Sequence, residues 1–228
     1  MGLFVTFEGP EGSGKTTQVR LLYASLVKEG LSVVRSREPG GTCIGEQVRA
    51  VLHDLGNQGM LPITEALLYS AARAQHVSEV IGPALERDAI VLCDRFAEST
   101  FAYQGYGHGL DLEALERITR FATGGLRPDL VVYLDLDVDI GLQRKLQDRR
   151  EGKGEWNRMD QQSVSFHRRV REGYLTMARQ EVDRWLIVDA SRSVEEMHES
   201  VRARVLSLHA LRVRRPHVTC SGGRPEPQ

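Results

Sequence analysis

Eight residues near the N-terminus, from Gly9 to Thr16, have the types and spacing needed to bind a chain of phosphates. They read Gly-Pro-Glu-Gly-Ser-Gly-Lys-Thr and fit the pattern G-x-x-x-x-G-K-[ST]. An apolar run, residues 3–7, precedes them, and a helical pattern starts at about Lys15. A strand, a glycine-rich turn and a helix in this order direct backbone N–H groups and the positive end of the helix at phosphate. We therefore predict that Lys15 reaches the outer phosphates and that the Thr16 hydroxyl binds Mg²⁺.

A second group of reactive residues follows the apolar run 89–93. Asp94 has the type and position expected of a carboxylate that holds Mg²⁺ or its waters, and Arg95 could hold a phosphate through two hydrogen bonds. Polar residues also end the other apolar runs, at 37–42, 135–137 and 189–191. Ligands of open parallel sheets gather where the strands end, so these residues are expected to share one crevice. The alternative for Asp94 and Arg95 is an ordinary surface ion pair.

The elements that must position these residues can be read from the alternation of apolar runs with amphipathic stretches. This alternation predicts βαβ units and an α/β fold around a parallel sheet. The predicted strands are residues 3–7, 32–36, 89–93, 130–136 and 185–188. The predicted helices are residues 15–29, 45–55, 63–87, 112–122, 139–148, 161–181 and 194–208. We expect one domain over residues 1–210 and a disordered C-terminal tail over 211–228, where Arg, Pro and Gly accumulate.

Composition excludes several classes of protein. The chain has 228 residues, 41% of them hydrophobic and 27% charged, which is ordinary for one large globular domain. Its formal net charge of −1 argues against nucleic acid as a partner, and no apolar run approaches the roughly 18 residues of a membrane span. The apolar run 3–7 follows the N-terminus directly, so we expect no targeting segment. Three cysteines without metal-type spacing favour a reducing compartment, so we expect a cytoplasmic protein that does not bind membranes.

Five segments, in this order, resemble the thymidylate kinase family of P-loop nucleoside-monophosphate kinases. They are residues 7–17, 37–42, 67–76, 94–105 and 157–174, and the likeness runs from about residue 3 to about 208. The resemblance implies a P-loop NTPase fold, with a five-stranded parallel sheet flanked by helices and a short lid. It also implies a homodimer that phosphorylates dTMP with ATP and Mg²⁺ in dTTP synthesis. The alternatives are another nucleotide or nucleoside kinase, or a P-loop ATPase that acts as a switch without kinase activity.

The resemblance also implies which residues bind the acceptor. Tyr69, where the family commonly has phenylalanine, would stack on the pyrimidine, and Arg73 would donate to its O4 carbonyl. Cytosine has an amino donor at that position, so two donors would face each other and repel it. Tyr103 would pack against the deoxyribose, while Arg95 first and Arg49 second would bind the acceptor phosphate. The full set expected at dTMP is Glu38, Arg49, Tyr69, Arg73, Arg95, Ser99, Tyr103 and Gln104. Spacing alone would make Tyr69 and Arg73 an ordinary helix aromatic and a solvated cation.

The donor side is expected at the phosphate loop and a lid of about residues 147–157. The position after Glu11 is Gly12, so the chain resembles the subtype in which the lid supplies the cations, here Arg149 assisted by Arg150 or Lys153. Glu11 would bind the acceptor's sugar hydroxyl or organise those cations. The set expected at ATP is Gly9, Pro10, Glu11, Gly12, Ser13, Gly14, Lys15, Thr16, Thr17 and Arg144. The expected catalytic residues are Lys15, Arg95, Arg149, Arg150 and Glu11, and the expected metal ligands are Thr16 and Asp94. A charged exposed loop remains the alternative for the lid.

One position departs from the family pattern. His108 stands where the family commonly has arginine, after the segment Tyr103-Gln104-Gly105. The replacement removes a permanent charge, so we expect a weaker local ion pair or a less ordered loop. It does not change any residue assigned to phosphoryl transfer.

Overall fold

The computed structural model describes residues 2–153 and 156–213. Five parallel strands form one sheet in the order β2-β3-β1-β4-β5. The strands are β1 (Leu3–Glu8), β2 (Val33–Arg37), β3 (Ile90–Asp94), β4 (Leu130–Asp135) and β5 (Trp185–Asp189). Each lies within one or two residues of its prediction, and the predicted α/β fold with a five-stranded parallel sheet is confirmed.

The sheet register brings the predicted site residues to one edge. Phe7 at the end of β1 pairs with Asp94 of β3, and Arg37 of β2 pairs with the same Asp94. Three neighbouring strands therefore end at the same level of the sheet. The segments that follow them lie side by side, and these are the phosphate loop, residues 37–42 and residues 95–96.

Helices cover both faces of the sheet. They are α1 (Lys15–Lys28), α2 (Cys43–His53), α3 (Pro62–His76), α4 (Gly82–Glu86), α5 (Ala97–Thr100), α6 (Leu112–Thr123), α7 (Val138–Arg150), α8 (Val164–Gln180) and α9 (Val194–Val213). Leu22 and Leu26 of α1 pack with Val201 and Val205 of α9 on one side of the sheet. On the other side, Tyr174 of α8 stacks on Tyr133 of β4 with ring centroids 4.9 Å apart.

Two turns of π-helix interrupt the predicted pattern. The helix predicted over residues 63–87 is α3 and α4 joined by the π turn Val77–Ile81, in which Gly82 N–H bonds the carbonyl of Val77. Pro83 explains this break, because its ring cannot follow the regular α-helical turn. The second π turn, Phe101–Gly107, continues α5. The sequence analysis predicted no helix there.

Several predicted helix boundaries also move because of local capping. Helix α2 begins at Cys43 rather than Gly45, since the Thr42 side chain accepts a hydrogen bond from Gly45 N–H. The helix predicted from residue 161 begins at Val164, after a 3₁₀ turn (Arg158–Gln161) that Asn157 caps. Helix α9 continues to Val213, so residues 211–213 of the predicted tail are helical. Residues 214–228 of that tail, with Cys220, lie outside the described part of the chain.

Within the described ranges, every helix is too short or too polar to cross a lipid bilayer. Of the cysteines there, Cys43 is exposed and Cys93 is buried, and both are free thiols.

Candidate active site

The phosphate loop connects β1 to α1 through glycines that other residues could not replace. Gly9 has φ +148° and Gly12 has φ +71°, both in the region that favours glycine. A Cβ atom on Gly9 would lie 2.6 Å from the Leu134 carbonyl oxygen, and one on Gly12 would lie 2.6 Å from that of Gly141. Helix α1 begins at Lys15, directly after the loop. The loop is thus closely packed against β4 and α7, with the N-terminus of α1 at its open side.

Lys15, Thr16 and Asp94 lie together beside this loop. The Lys15 ammonium group donates to the carbonyls of Gly9 (3.1 Å) and Pro10 (2.8 Å). Burial lowers the pKa of Lys15 to about 8. The Thr16 hydroxyl donates to Asp94 Oδ2 at 2.7 Å, so the two expected metal ligands are in direct contact. A hydroxyl and a carboxylate are hard oxygen donors, and this pair therefore fits Mg²⁺.

One cavity of about 850 Å³ joins the phosphate loop to the predicted acceptor residues. Its size suits small-molecule ligands. The predicted residues that line it are Glu11, Gly12, Gly14, Lys15, Thr16, Thr17, Glu38, Arg49, Tyr69, Arg73, Asp94, Arg95, Ser99, Tyr103 and Gln104. Gly9, Pro10 and Ser13 belong to the turn of the loop and are outside this lining.

Arg95 lies between the two halves of the cavity. Its φ of +68° is unusual for a residue with a side chain, and its N–H donates to the Phe7 carbonyl at 2.9 Å. Its guanidinium donates to Ser99 Oγ (3.2 Å) and Tyr103 OH (3.1 Å), and it pairs with Glu11 of the phosphate loop. Arg95 thus connects the loop to the acceptor side in a backbone conformation that strains most residues.

The Glu11 carboxyl group is held in its charged form. Burial alone would raise its pKa, but the cationic groups of Arg95 and Lys15 hold the pKa of Glu11 well below its usual range. A carboxylate beside phosphates would repel them, and these two cations offset that repulsion.

Glu8 is a buried carboxyl group that the sequence analysis left without a role. Its Oε1 accepts from the Phe96 N–H (2.8 Å), and its Oε2 accepts from the hydroxyls of Ser99 (2.6 Å) and Tyr174 (2.7 Å). Burial raises the pKa of Glu8 to about 7, against the opposing effect of Arg95. Glu8 therefore fixes the segment that carries Arg95 and Ser99. A signal for it was present, because an acidic residue ends an otherwise apolar strand.

Arg73 is buried rather than solvated, with 1% of its surface exposed. Its Nε donates to Glu38 (2.8 Å), and its two terminal nitrogens donate to Thr100 Oγ1 and the Phe96 carbonyl (both 3.0 Å). A guanidinium has five N–H groups, so two of them are left for a ligand in the cavity. The solvated-cation interpretation of this residue is wrong.

The other acceptor residues surround the same space. Tyr69, one helical turn before Arg73, lines the cavity, and burial raises the pKa of its hydroxyl. The Arg95 guanidinium carbon lies over the Tyr103 ring, 5.1 Å from the ring centroid. Arg49 donates to the Pro39 carbonyl at 2.9 Å. The amide of Gln104 donates to buried Glu65 at 2.6 Å.

The cation that lines the cavity near the lid is not one of the expected lid cations Arg149, Arg150 and Lys153. Arg149 and Arg150 form the last turn of α7, beyond the predicted helix end, and are outside the cavity lining. The Arg149 guanidinium lies 4.5 Å from the Trp156 ring centroid, and Lys153 pairs with Glu151 at 2.7 Å. Lys145, which the sequence analysis did not select, lines the cavity instead. Gly154 and Glu155 of the predicted lid lie outside the described residues.

Arg144 lies between the phosphate loop and the turn after β5. Its guanidinium donates to the carbonyls of Gly12 (3.2 Å) and Ala190 (3.4 Å). It therefore connects the phosphate loop to the turn after β5, where the base of the donor nucleotide was expected.

His108 lies beside the ion pair between Arg158 and Glu65. Its Nε2 is 3.6 Å from Glu65 Oε1, and its ring packs on Phe166 with centroids 4.7 Å apart. Burial lowers the pKa of His108, so the neutral ring is favoured. Arg158 pairs with the other oxygen of Glu65, which provides a permanent positive charge from a different element.

The comparisons with known proteins agree with this geometry. The sequence profile of a family described as thymidylate kinase matches residues 7–201, a range that contains all five segments of the resemblance. A thymidylate kinase of Roseiflexus castenholzii is 53% identical over 211 residues, which cover 89% of this chain and 92% of that protein. One from Geotalea uraniireducens is 49% identical over 209 residues, covering 91% and 98%. The crystal structure of an Ehrlichia chaffeensis thymidylate kinase matches with a TM-score of 0.69 and 34% identity, covering 90% of this chain and 98% of that one.

Proposed function

We propose that this chain, which belongs to the thymidylate kinase family, transfers the γ-phosphoryl group of ATP to dTMP and yields ADP and dTDP. The observation that carries the proposal is the single cavity that contacts both the phosphate loop at Lys15 and the buried guanidinium of Arg73. A kinase needs such a space, because donor and acceptor phosphates must approach in line.

On the donor side, the ATP phosphates occupy the loop between Gly9 and Thr17. Lys15 binds the outer phosphates. Thr16 and Asp94 would hold Mg²⁺, whose positive charge would offset that of the phosphates. The contact between Thr16 and Asp94 at 2.7 Å supports this assignment. Arg144, between Gly12 and Ala190, is adjacent to the adenine. Phosphoryl transfer then depends on position and on cancellation of charge more than on covalent help.

On the acceptor side, thymine stacks on Tyr69 and its O4 accepts from the two N–H groups of Arg73 that the protein leaves unused. The same two donors face the amino group of cytosine unfavourably. Tyr103 packs against the deoxyribose, with Ser99, Gln104 and Glu38 around the base. Arg95 and Arg49 bind the acceptor phosphate.

The catalytic cations come from both sides of the cavity. Arg95 and Lys15 each interact with Glu11, which supports a role of the loop carboxylate in holding them near the transferred phosphate. Glu11 need not act as a base, because the acceptor phosphate is already ionised near neutral pH. Arg149, assisted by Arg150 or Lys153, reaches the phosphates when the lid closes. Lys145 adds a further cation to this set.

The active enzyme is a homodimer in this proposal. Helices α2 and α3 pack together, yet Ile44, Val51, Ile63 and Leu67 on them stay about half exposed. Exposed apolar side chains on two helices that pack together suit a second copy of the chain. The cytoplasmic location stays a prediction from the sequence.

Parallel kinetics with dTMP, dUMP, UMP, dCMP and thymidine test the proposed function. We expect the highest kcat/KM with dTMP and a requirement for Mg²⁺. Faster turnover of thymidine than of dTMP would assign the chain to nucleoside kinases. Slow ATP hydrolysis that no acceptor stimulates would instead favour a regulatory ATPase.

A further inference from the structure

Behind Arg73 lies a chain of polar side chains that the proposed reaction does not explain. Glu38 Oε2 accepts from Arg73 Nε at 2.8 Å, while its Oε1 is 3.0 Å from His76 Nδ1. His76 Nε2 is in turn 2.6 Å from Ser36 Oγ. The His76 side chain is fully buried and those of Arg73 and Glu38 nearly so. The contacts therefore run from Ser36 at the end of β2 to the guanidinium that faces the cavity.

The hydrogen positions in this chain follow from the chemistry of its members. An ionised Glu38 can only accept hydrogen bonds, so His76 Nδ1 must carry a proton and donate to it. In the neutral imidazole, Nε2 then accepts from the Ser36 hydroxyl. Arg73 and Glu38 together carry no net charge, which suits a site this deeply buried.

Gly41 shows that the protein makes room for this contact. A Cβ atom there would lie 2.7 Å from Ser36 Oγ and 2.8 Å from His76 Nε2, and φ is +77°. The loop of residues 37–42 thus closes directly over the Ser36–His76 pair. Gly41 and His76 belong to two different segments of the family resemblance, and neither has a role in the chemistry described above.

We propose that His76, oriented by Ser36, is a positioning residue that fixes Glu38 and through it the base-reading guanidinium of Arg73. Without the donor at His76, Glu38 Oε1 is a buried acceptor with no partner, and the carboxylate gains by rotating away from Arg73. The guanidinium then loses one of the three contacts that set its plane, the one at Nε, and its two outer N–H groups no longer match O4. The inference rests on the proposed function, because it takes Arg73 as the donor to thymine.

The test compares variants of His76 by steady-state kinetics with dTMP and dCMP. His76→Phe keeps a planar ring but removes both nitrogens, whereas His76→Asn keeps a donor near the position of Nδ1. We expect His76→Phe to raise KM for dTMP about tenfold and to lower the preference for dTMP over dCMP by a similar factor. Its KM for ATP and its kcat at saturating dTMP should stay within about twofold of the wild-type values. His76→Asn should recover most of the loss, and Ser36→Ala should show a smaller rise in KM for dTMP.

A folded His76→Phe enzyme with unchanged KM and base preference would overturn the inference. So would an equal rise of KM for ATP, which indicates general damage. If thermal melting shows that His76→Phe does not fold, Ser36→Ala provides the test instead. An unchanged KM for dTMP in Ser36→Ala then overturns the inference.

The base preference of Arg73→Ala distinguishes a failure of this inference from a failure of the proposed function. If Arg73→Ala leaves the preference for dTMP over dCMP intact, the acceptor pocket itself is misplaced. If Arg73→Ala removes the preference and His76→Phe does not, only the positioning role fails. In the double variant, His76→Phe should add nothing to the effect of Arg73→Ala, because the two residues act through one contact.

Discussion

Glu8 and Glu11 lie three residues apart, and their pKa values shift in opposite directions. Glu8 is surrounded by neutral donors, and burial raises its pKa to about 7. For Glu11, the charges of Arg95 and Lys15 outweigh burial and lower the pKa. Glu8 therefore acts by holding the backbone and hydroxyls around Ser99, and Glu11 acts by balancing the cations of the site.

The raised pKa of Glu8 predicts a specific dependence of stability on pH. The carboxyl group ionises near 4.5 in the unfolded chain and near 7 in the folded one, so its contribution to stability falls as pH rises between these values. Glu8→Gln removes this titration and leaves the other groups in place. The free energy of unfolding of the wild type minus that of Glu8→Gln should fall by about 2 to 3 kcal/mol between pH 5 and pH 8. Urea unfolding of both proteins measures this difference, and a constant value across the range would refute the account of Glu8.

The roles of single buried residues were the hardest to predict from the sequence. The types and order of Lys15, Thr16 and Asp94 were enough to predict that they lie together, because the loop pattern fixes their spacing. Glu8 and His76 could not be assigned in this way. Their roles depend on partners 38 to 166 positions away in the sequence, such as Glu38 for His76 and Tyr174 for Glu8.

At the scale of elements, helix α7 decides which cations face the cavity. Periodicity predicted its end at residue 148, but the helix continues to Arg150. Lys145 and Asp148, three residues apart, share the face that lines the cavity. The Lys145 ammonium lies 3.6 Å from Asp160, on the segment that follows the lid.

Lys145 should therefore contribute to phosphoryl transfer. We expect Lys145→Ala to lower kcat by about tenfold to a hundredfold, because the developing charge on the phosphoryl group loses a cation in the cavity. KM for dTMP should change little. Gln143→Ala, at an exposed position of the same helix, is the control and should match the wild type. A normal kcat in Lys145→Ala together with a large loss of kcat in Arg149→Ala would indicate that the predicted lid cation Arg149 has the main role in phosphoryl transfer.

The π turn Phe101–Gly107 carries two of the expected acceptor residues, although no helix or strand was predicted there. Gly105 and Gly107 interrupt any apolar periodicity, so sequence reasoning gave residues 97–107 no helix. The turn is fixed by packing instead, since a Cβ atom on Gly107 would lie 2.6 Å from the Phe166 ring of α8. Tyr103 and Gln104 reach the cavity because of this contact between distant elements.

At the scale of the whole molecule, the parallel sheet converts sequence patterns into one site. All five strands run in the same direction, so every loop that leaves a strand end opens at one edge. This is why the phosphate loop, Asp94 and residues 37–42 could be placed together from the sequence. The faces that each helix presents depend on packing across the sheet and could not be derived in that way.

The exposed apolar side chains of α2 and α3 predict how two copies associate. Ile63 and Leu67 are 56% and 50% exposed and lie one helical turn apart on α3. Replacing both with Glu should convert a dimer into a monomer, because charges would be buried at the interface. Sedimentation velocity measures this change. Val182→Glu, at an apolar position before β5 that is 68% exposed, is the control and should leave the dimer intact. A wild-type protein that sediments as a monomer would contradict the prediction.

The most direct test of the central claim is a crystal structure of this protein with dTMP bound. We expect the pyrimidine on the Tyr69 ring, O4 at about 3 Å from Arg73, and the phosphate beside Arg95 on the side that faces Lys15. A pyrimidine bound elsewhere, with Tyr69 and Arg73 free of it, would contradict the account.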